Sequence, residues 1–483
     1  MGRRLSLGVD SSTQSVKVEA RDIETGRVVA RGSAPHPPTV PPVSEQDPRD
    51  WWKALATAVG TLGDHRRDVV AVSIAGQQHG LVVLDANGDP IRPAKLWNDT
   101  TSAEQATRLV AELGGGVWAR AVGSVPVASF TITKLAWLVD NEPASLARIA
   151  RVMLPHDYLT WRLTGLHVTD RGDASGTGWF DAATDEYRDE LVSLASAGRI
   201  TRAELPRVLA PFVAAGTIAP GVATELGLPT GVVVGAGTGD NMAAALGLGL
   251  RPGDVAVSLG TSGTAFASSA TPTHDPSGAV AGFASADGGF LPLVCTLNAT
   301  KVTDSIARWL GRDASSFAAL ALEAVADPGS VLLVPYFDGE RTPNLPEATG
   351  RLEGLTNATT PAQIALAAHD GVLCSLLDGV DALSAAGASL SGRLFLVGGG
   401  ARSAAYRRRL ADLSSSPIVV ADVDEAVATG AALQAAVVVD GADPAAIAAR
   451  WDLGAGTTID PEVDARPLRR AWTAARDRVA AAL

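Results

Sequence analysis

The 483-residue chain is predicted to be an α/β protein of two domains. Three observations predict it. The length exceeds what one ordinary core fills. Short β-branched runs recur that end in glycine turns and lead into helices. A strand, a hydroxyl-rich turn and a second strand occur near the start of each half, at residues 5–20 and 254–268, as an internal duplication places them. Hydrophobic content of 46% and charged content of 19% describe a globular chain, and a net charge of −12 leaves no basic face for nucleic acid or an acidic membrane. A small-molecule ligand is expected, with no nucleic-acid and no membrane partner.

The first half opens on a strand at residues 5–9. Asp10, Ser11, Ser12, Thr13, Gln14 and Ser15 then form a turn before a strand at 16–20, and residues 24–26 turn into a third. The tip of this hairpin offers amides and hydroxyls to a phosphate. A helix at 47–62 starts at Asp47-Pro48 and carries Trp51 and Trp52. A buried strand at 69–74 ends beside Gln78 and His79, whose amide and imidazole suit the hydroxyls of a polyol. Trp97, Asn98 and Asp99 repeat that mixture, with a ring face, an amide and a carboxylate. Residues 129–141 read as a turn into an amphipathic helix with Leu135 and Leu138 inward, 151–154 as a strand and 155–163 as a helix. Residues 169–181 lack periodicity and read as a site-lining loop. Helices are expected at 186–197 and 201–209.

The chain is organised around residues 231–249. A strand at 232–234 meets three alternating glycines, Gly235, Gly237 and Gly239, that allow a tight turn, and Asp240 stands where a helix over 241–246 begins. That position lies in the crevice beyond a strand's carboxyl end, where Asp240 is expected to be ionised and exposed. Two roles fit it, proton acceptor and helix N-cap.

The second half begins with a strand at 254–259, a turn of Gly260, Thr261, Ser262, Gly263 and Thr264, and a strand at 265–268. Two such hairpins facing each other bracket a phosphate chain. A helix over 297–310, a strand over 331–334, a polar crossover loop over 335–343 and a long helix over 361–386 follow. A strand at 394–397 enters Gly398, Gly399, Gly400 and Ala401, a turn bare enough for a flat aromatic ring to approach the main chain. Ala-rich residues 427–439, with Gly430, are expected to pack against that turn, and 466–483 form the last helix.

Absences narrow the chemistry. The chain has no GxxxxGK[ST], no GxGxxG after a strand, no HExxH and no GxSxG. Its seven histidines are scattered, which leaves only a metal held by carboxylate and phosphate oxygens. Cys295 and Cys374 form no CxxC pair and read as buried free thiols of a reducing cytoplasm. Met1-Gly2-Arg3-Arg4 resembles two targeting starts but leads directly into a strand, and no apolar run nears the ~20 residues of a bilayer span. Two phosphate hairpins, a nucleobase turn, a polyol pocket and a carboxylate between the halves are the equipment for phosphoryl transfer from ATP.

The segments SFTITKLAWLVDN and GRLEGLTNATTPAQIALAAHD resemble the two signatures of the FGGY family of carbohydrate kinases, and GVDSSTQSVKV and GTGDN follow the family's order. The second signature departs at His369, where an aliphatic or aromatic residue is usual. The resemblance covers essentially the whole chain. It implies a pair of ribonuclease-H-like domains of the actin and hexokinase type flanking a hinged cleft, with sugar binding and the first phosphate hairpin in residues 1–244 and ATP in 245–483. It implies Asp240 as base and Asp10 as the residue that organises Mg²⁺. By the same resemblance Ser11, Ser12, Thr13, Gln14, Lys17, Gly260, Thr261 and Ser262 hold phosphates, and Gly398, Gly399, Gly400 and Ala401 face the adenosine. Gln78, His79, Trp97, Asn98, Asp99 and Asn241 fall on the sugar side, and Thr101 stands where relatives often have Arg. The implied reaction carries the γ-phosphate of MgATP to the 5-hydroxyl of a ketopentose, D-xylulose foremost. A kinase for another ketose or polyol and a non-catalytic sugar sensor are the alternatives, and the oligomeric state stays open, a homodimer included.

Overall fold

The computed structural model describes residues 2–325 and 331–482. Met1 of the start motif and Leu483 of the last expected helix lie outside the described residues. The first sheet is built on a meander of β1 (Leu5–Ser11), β2 (Ser15–Asp22) and β3 (Val28–Pro35), to which β4 (Val69–Gly76) adds in parallel. Strands β5 (Ala214–Thr217) and β6 (Val233–Gly235) complete the order β5-β6-β4-β1-β2-β3. Alternation in β1 explains its position. Leu5, Leu7 and Val9 enter the core under helix α1 (Pro48–Gly60), with Trp51 and Trp52, while Ser6, Gly8 and Asp10 turn to the other face. As expected, α1 is capped by Asp47, whose side chain accepts from the Arg49 amide.

The second sheet repeats the plan. Its antiparallel part joins β7 (Val255–Leu259) to β8 (Gly263–Ala267), β8 to β10 (Phe290–Thr296) and β10 to β9 (Ala281–Ala284). Strands β11 (Leu394–Val397) and β12 (Ile418–Ala421) add in parallel beyond β7, and β13 (Gly456–Ile459) closes the order β9-β10-β8-β7-β11-β12-β13. The expected duplication is therefore present as topology: in both sheets a hairpin's first strand pairs in parallel with a later one. Between the halves, helix α4 (Asp240–Gly247) follows β6, and the long helix α7 (Pro361–Ala385) covers the second sheet with Leu373, Leu376 and Leu377 against Val257 and Leu259. A reciprocal box of Thr360 and Gln363 starts α7.

Four expectations change. Residues 169–181 are not an open loop: Val168–Asp170 is a strand, Arg171–Ala174 a helical turn, and the whole stretch is buried. A segment enclosed on every side has no polar face, so its sequence carries no period. Residues 201–209 hold only a turn, Arg202–Glu204, before strand Arg207–Leu209, because Pro206 has no amide to donate to a helix. The helix expected over 186–197 is shorter, Asp189–Ser196, after a two-residue strand. Helix α9 (Ala426–Asp440), with Ala404–Ser414 as α8 before it, does not pack mainly on the Gly398 turn. It lies across α4, β1 and β4, so a piece of the second half of the sequence covers the first sheet. No helix among the described residues is long and apolar enough to cross a membrane.

Candidate active site

Three cavities share walls along the cleft. The innermost, about 370 Å³, is lined by Gln78, His79, Trp97, Phe130, Asp240 and Arg341. A central one of about 580 Å³ lies between Asp10, Lys17, Asp240 and the Gly398 turn. An outer one of about 750 Å³ runs from Gly260 and Thr261 to Gly399, Gly400 and Tyr406. Asp240, Asn241 and Ser258 line both the inner and central cavities, and Gly399 and Arg402 line both the central and outer ones. A further cavity of about 280 Å³ beside Arg27 and Trp451 touches the far end of α4 and shares Leu248, Ala421, Val423 and Asp424 with the central one. Two of its arginines, Arg21 and Arg31, are already paired with Glu19 and Asp424.

The turn that delivers Asp240 needs its glycines. Gly237 has φ +81°, and a Cβ there would sit 2.7 Å from the Ile74 carbonyl oxygen. Gly239 takes the N-cap position, leaving Asp240 as the first helical residue rather than the cap. Asp240 Oδ1 accepts from the Asn241 amide at 2.8 Å and from Asn241 Nδ2 at 3.0 Å. Burial, then the carboxylates Asp10 and Asp173, push the Asp240 pKa up to about 7. The expectation of an exposed, fully ionised carboxylate is thus corrected: Asp240 is half-buried and poised near neutrality.

Asp10 is 4% exposed at the end of β1, with its pKa pushed up to about 6 by burial against the opposing pull of Ser12 and Lys17. Ser12 Oγ donates to Asp10 Oδ1, and Oδ2 has no partner among the described residues. Lys17 stands opposite Asp10 on β2, but its ammonium is bound 2.7 Å from Glu425 of the second half. It reaches the central cavity already paired.

His79 stands at φ +66° with Nδ1 2.7 Å from the Gly176 carbonyl oxygen, which can only accept, so Nδ1 carries the proton. Its ring stacks on Phe130 at 4.8 Å, and burial, with Lys134 nearby, lowers its pKa to about 3. Neutral His79 thereby keeps a bare Nε2. Asn241 Nδ2 donates to Gln78 Oε1 at 2.8 Å, which leaves the Gln78 amide nitrogen without a protein partner. Trp97, 40% exposed, donates from Nε1 to Thr13 Oγ1 at 2.9 Å.

Not every expected residue arrives. Asn98 and Asp99 do not line the inner cavity. Asp99 is wholly buried and accepts from the Ser44 amide at 2.9 Å, the Thr101 amide at 3.1 Å and Lys95 Nζ at 3.3 Å. Thr101 accepts from Lys95 at 2.7 Å, so this corner is a structural knot. In the first hairpin Thr13 lines the inner cavity and Ser12 engages Asp10, whereas Ser11 is buried and Gln14 is exposed away from all three cavities. In the second hairpin Ser262 lines the inner cavity, Thr261 the outer one and Gly260 both. Gly398 has φ +85°, and a Cβ on Gly398 or Gly400 would meet Leu259 at 2.7 or 2.6 Å. Gly399 has open space on its cavity side, and Ala401 lines the central cavity.

Arg341 lines the inner cavity without having been singled out by sequence, and so does Cys295, expected only as a buried thiol and found half-buried. Arg341 has no ion pair among the described residues; its loop is anchored by Glu340, which accepts from the Leu297 amide at 2.6 Å and Asn298 Nδ2 at 3.0 Å. The signal was a cation in an aperiodic polar loop, the sort of segment that carries function.

The family model described as the FGGY family of carbohydrate kinases, N-terminal domain, matches residues 5–247, and its C-terminal counterpart matches 255–439. A xylulose kinase from Streptomyces coelicolor is 51% identical over 94% of this chain and 92% of its own length. One from Escherichia coli is 37% identical over 85% of each. The crystal structure of xylulose kinase from Bifidobacterium adolescentis, 40% identical, superposes with a TM-score of 0.87 over 98% of this chain and 99% of that one. Two matched domains, a relative at half identity and a shared two-sheet architecture establish that this chain belongs to the FGGY family of carbohydrate kinases.

Proposed function

We propose that the chain transfers the γ-phosphate of ATP to the 5-hydroxyl of D-xylulose. The observation that carries the reading is Asp240, a carboxylate lining both the inner cavity and the central one. The sugar occupies the inner cavity between Gln78, His79, Trp97 and Asn241. The triphosphate runs through the central cavity past both hairpins, and the nucleobase lies in the outer cavity against Gly399 and Gly400. On this reading residues 1–244 supply the sugar contacts and 245–483 the nucleotide contacts. The 94% coverage by a xylulose kinase at 51% identity favours the ketopentose over other acceptors.

Asp240 takes the proton from O5 as O5 forms a bond to the γ-phosphorus, and the bond from that phosphorus to the β,γ-bridging oxygen breaks to release ADP. Asn241 holds the carboxylate in place. Asp10 is the residue that would hold Mg²⁺. Its carboxylate lines the central cavity with one oxygen free, and no all-protein cage of three or more His, Cys, Asp or Glu gathers among the described residues. That donor set fits a cation that takes one or two carboxylates and finds its other ligands on phosphates and water. When bound, Mg²⁺ supplies positive charge to the phosphate oxygens. The cytoplasm, which holds ATP, is the expected setting, and every residue invoked lies in one chain, whether or not it forms a homodimer.

The test of the acceptor is kcat/KM across a panel of ketoses, polyols and gluconate. D-xylulose is expected to lead, and a better acceptor elsewhere in the panel would replace it. A base must be deprotonated to work, so a pKa of about 7 predicts that kcat/KM for the sugar rises with pH up to about 7 and levels above it. A rate already flat at pH 5.5 would remove Asp240 from that role. Arg341, the unpaired cation of the inner cavity, is assigned to the charge that develops on the transferred phosphoryl group. Arg341→Ala is expected to lower kcat about 10²-fold with little change in sugar affinity, and Arg341→Lys to recover part of it. Unchanged kcat in the alanine variant would assign the guanidinium to the scaffold.

A further inference from the structure

Helix α7 brings His369 into the wall of the outer cavity, at the one position where the second family signature is broken. Its Nδ1 lies 2.8 Å from the Ala365 carbonyl oxygen one turn earlier. A carbonyl only accepts, so the proton sits on Nδ1 and Nε2 presents a lone pair. The ring is held between Phe317, stacked at 5.3 Å, and Tyr406 at 4.7 Å. Tyr406 cannot supply the missing donor: Thr303 Oγ1 gives its proton to the Thr300 carbonyl at 2.9 Å and so accepts the Tyr406 hydroxyl at 3.0 Å. Nε2 has no hydrogen-bond partner among the described residues, and His369 lines the outer cavity. Burial lowers the His369 pKa to about 4, which keeps Nε2 free of a proton at neutral pH.

We propose that His369 Nε2 accepts a hydrogen bond from the exocyclic amine of adenine and thereby selects adenine over 6-oxopurine nucleotides, an inference that rests on the outer cavity being the nucleobase site. Adenine carries a donor at C6, whereas guanine and hypoxanthine carry a carbonyl oxygen whose lone pairs would face that of Nε2. An unpaired buried acceptor is the feature that makes such a site reject the wrong partner.

The test crosses a change in the ligand with a change in the protein. Steady-state kcat/KM is measured at saturating sugar with ATP, ITP and purine riboside triphosphate, which lacks any C6 substituent, for wild type and His369→Leu. Wild type is expected to favour ATP over purine riboside triphosphate about tenfold, and ITP to fare worse. In His369→Leu the ATP value should fall about tenfold while the purine riboside value holds, so that their ratio approaches one. His369→Phe fits between the same two rings and repeats the test if leucine impairs folding. An ATP to purine riboside ratio equal in wild type and a folded variant overturns the proposal. Failure of the sugar-kinase reading looks different, as absent sugar phosphorylation by wild type with every nucleotide. Calorimetric binding of ADP and IDP then still decides the role of His369: an ADP preference lost in the variant supports it, and equal preference in both refutes it.

Discussion

Asp240→Asn is expected to bind D-xylulose within about twofold of wild type and to lose a factor of about 10²–10⁴ in kcat, or roughly 3–5 kcal/mol of barrier. Asparagine is nearly isosteric, and its carbonyl oxygen can accept from the Asn241 amide as the carboxylate does at 2.8 Å. The hairpins and the Gly398 turn are untouched, so ground-state binding survives while proton removal from the sugar does not. Calorimetry for the sugar and a coupled assay of ADP release measure the two terms separately. A near-wild-type kcat would mean that the acceptor's proton leaves by another route.

The same variant should alter stability with a definite sign. Folded Asp240 has a pKa of about 7 against an ordinary 3.8, so the native state holds this proton more tightly than the unfolded chain. Its contribution therefore becomes less favourable as pH rises from about 4 to 7 and is constant above. Asp240→Asn removes that burden, and its gain in Tm is expected to be larger at pH 8 than at pH 5. The charged carboxylate is tolerated by the fold rather than favoured by it, which is common where function sets the residue.

Gly430→Ala is expected to destabilise the protein by about 3 kcal/mol, lowering Tm by about 6–12 °C, and to lower kcat as well. Helices α9 and α4 cross with their backbones in contact. A Cβ on Gly430 would lie 1.9 Å from the Ala243 carbonyl oxygen, one on Gly247 1.9 Å from that of Ala426, and one on Gly8 1.9 Å from that of Ala428. These are backbone atoms that no rotamer change can move. Separating the helices by the required ångström or more shifts Asp240, at the start of α4, relative to Asp10 on β1. Gly60→Ala, at a helix end with open space around the added methyl, serves as the control and is expected to be neutral or slightly stabilising. Thermal unfolding and kcat of both variants check the contrast; equal Tm values would show that the crossing has slack.

Much of the architecture was legible because it is local. Strand β1 alternates Leu5, Leu7 and Val9 with Ser6, Gly8 and Asp10, and the hydroxyl-rich turn after it recurs after β7. Period and turn chemistry are properties of neighbouring residues, so the two hairpins could be read directly. The segment at 169–181 could not, since full burial erases the contrast between faces. Residues 201–209 misled through helix-compatible composition until Pro206 is weighed as a missing donor.

The sequence by itself determined which chemistry-bearing residues exist and on which turns they stand: Asp10 and Asp240, the duplicated hairpins and the glycines of residues 398–400. Those features are written in spacing and residue type. Only the tertiary structure decided what each does once folded. It buried Asp99 against the Ser44 amide, paired Lys17 with Glu425 and brought Arg341 to the inner cavity. It also raised Asp240 to about 7 through burial beside Asp10 and Asp173. The physical reason is that charge state and reach depend on desolvation and on partners scores to hundreds of residues away, which no local pattern records.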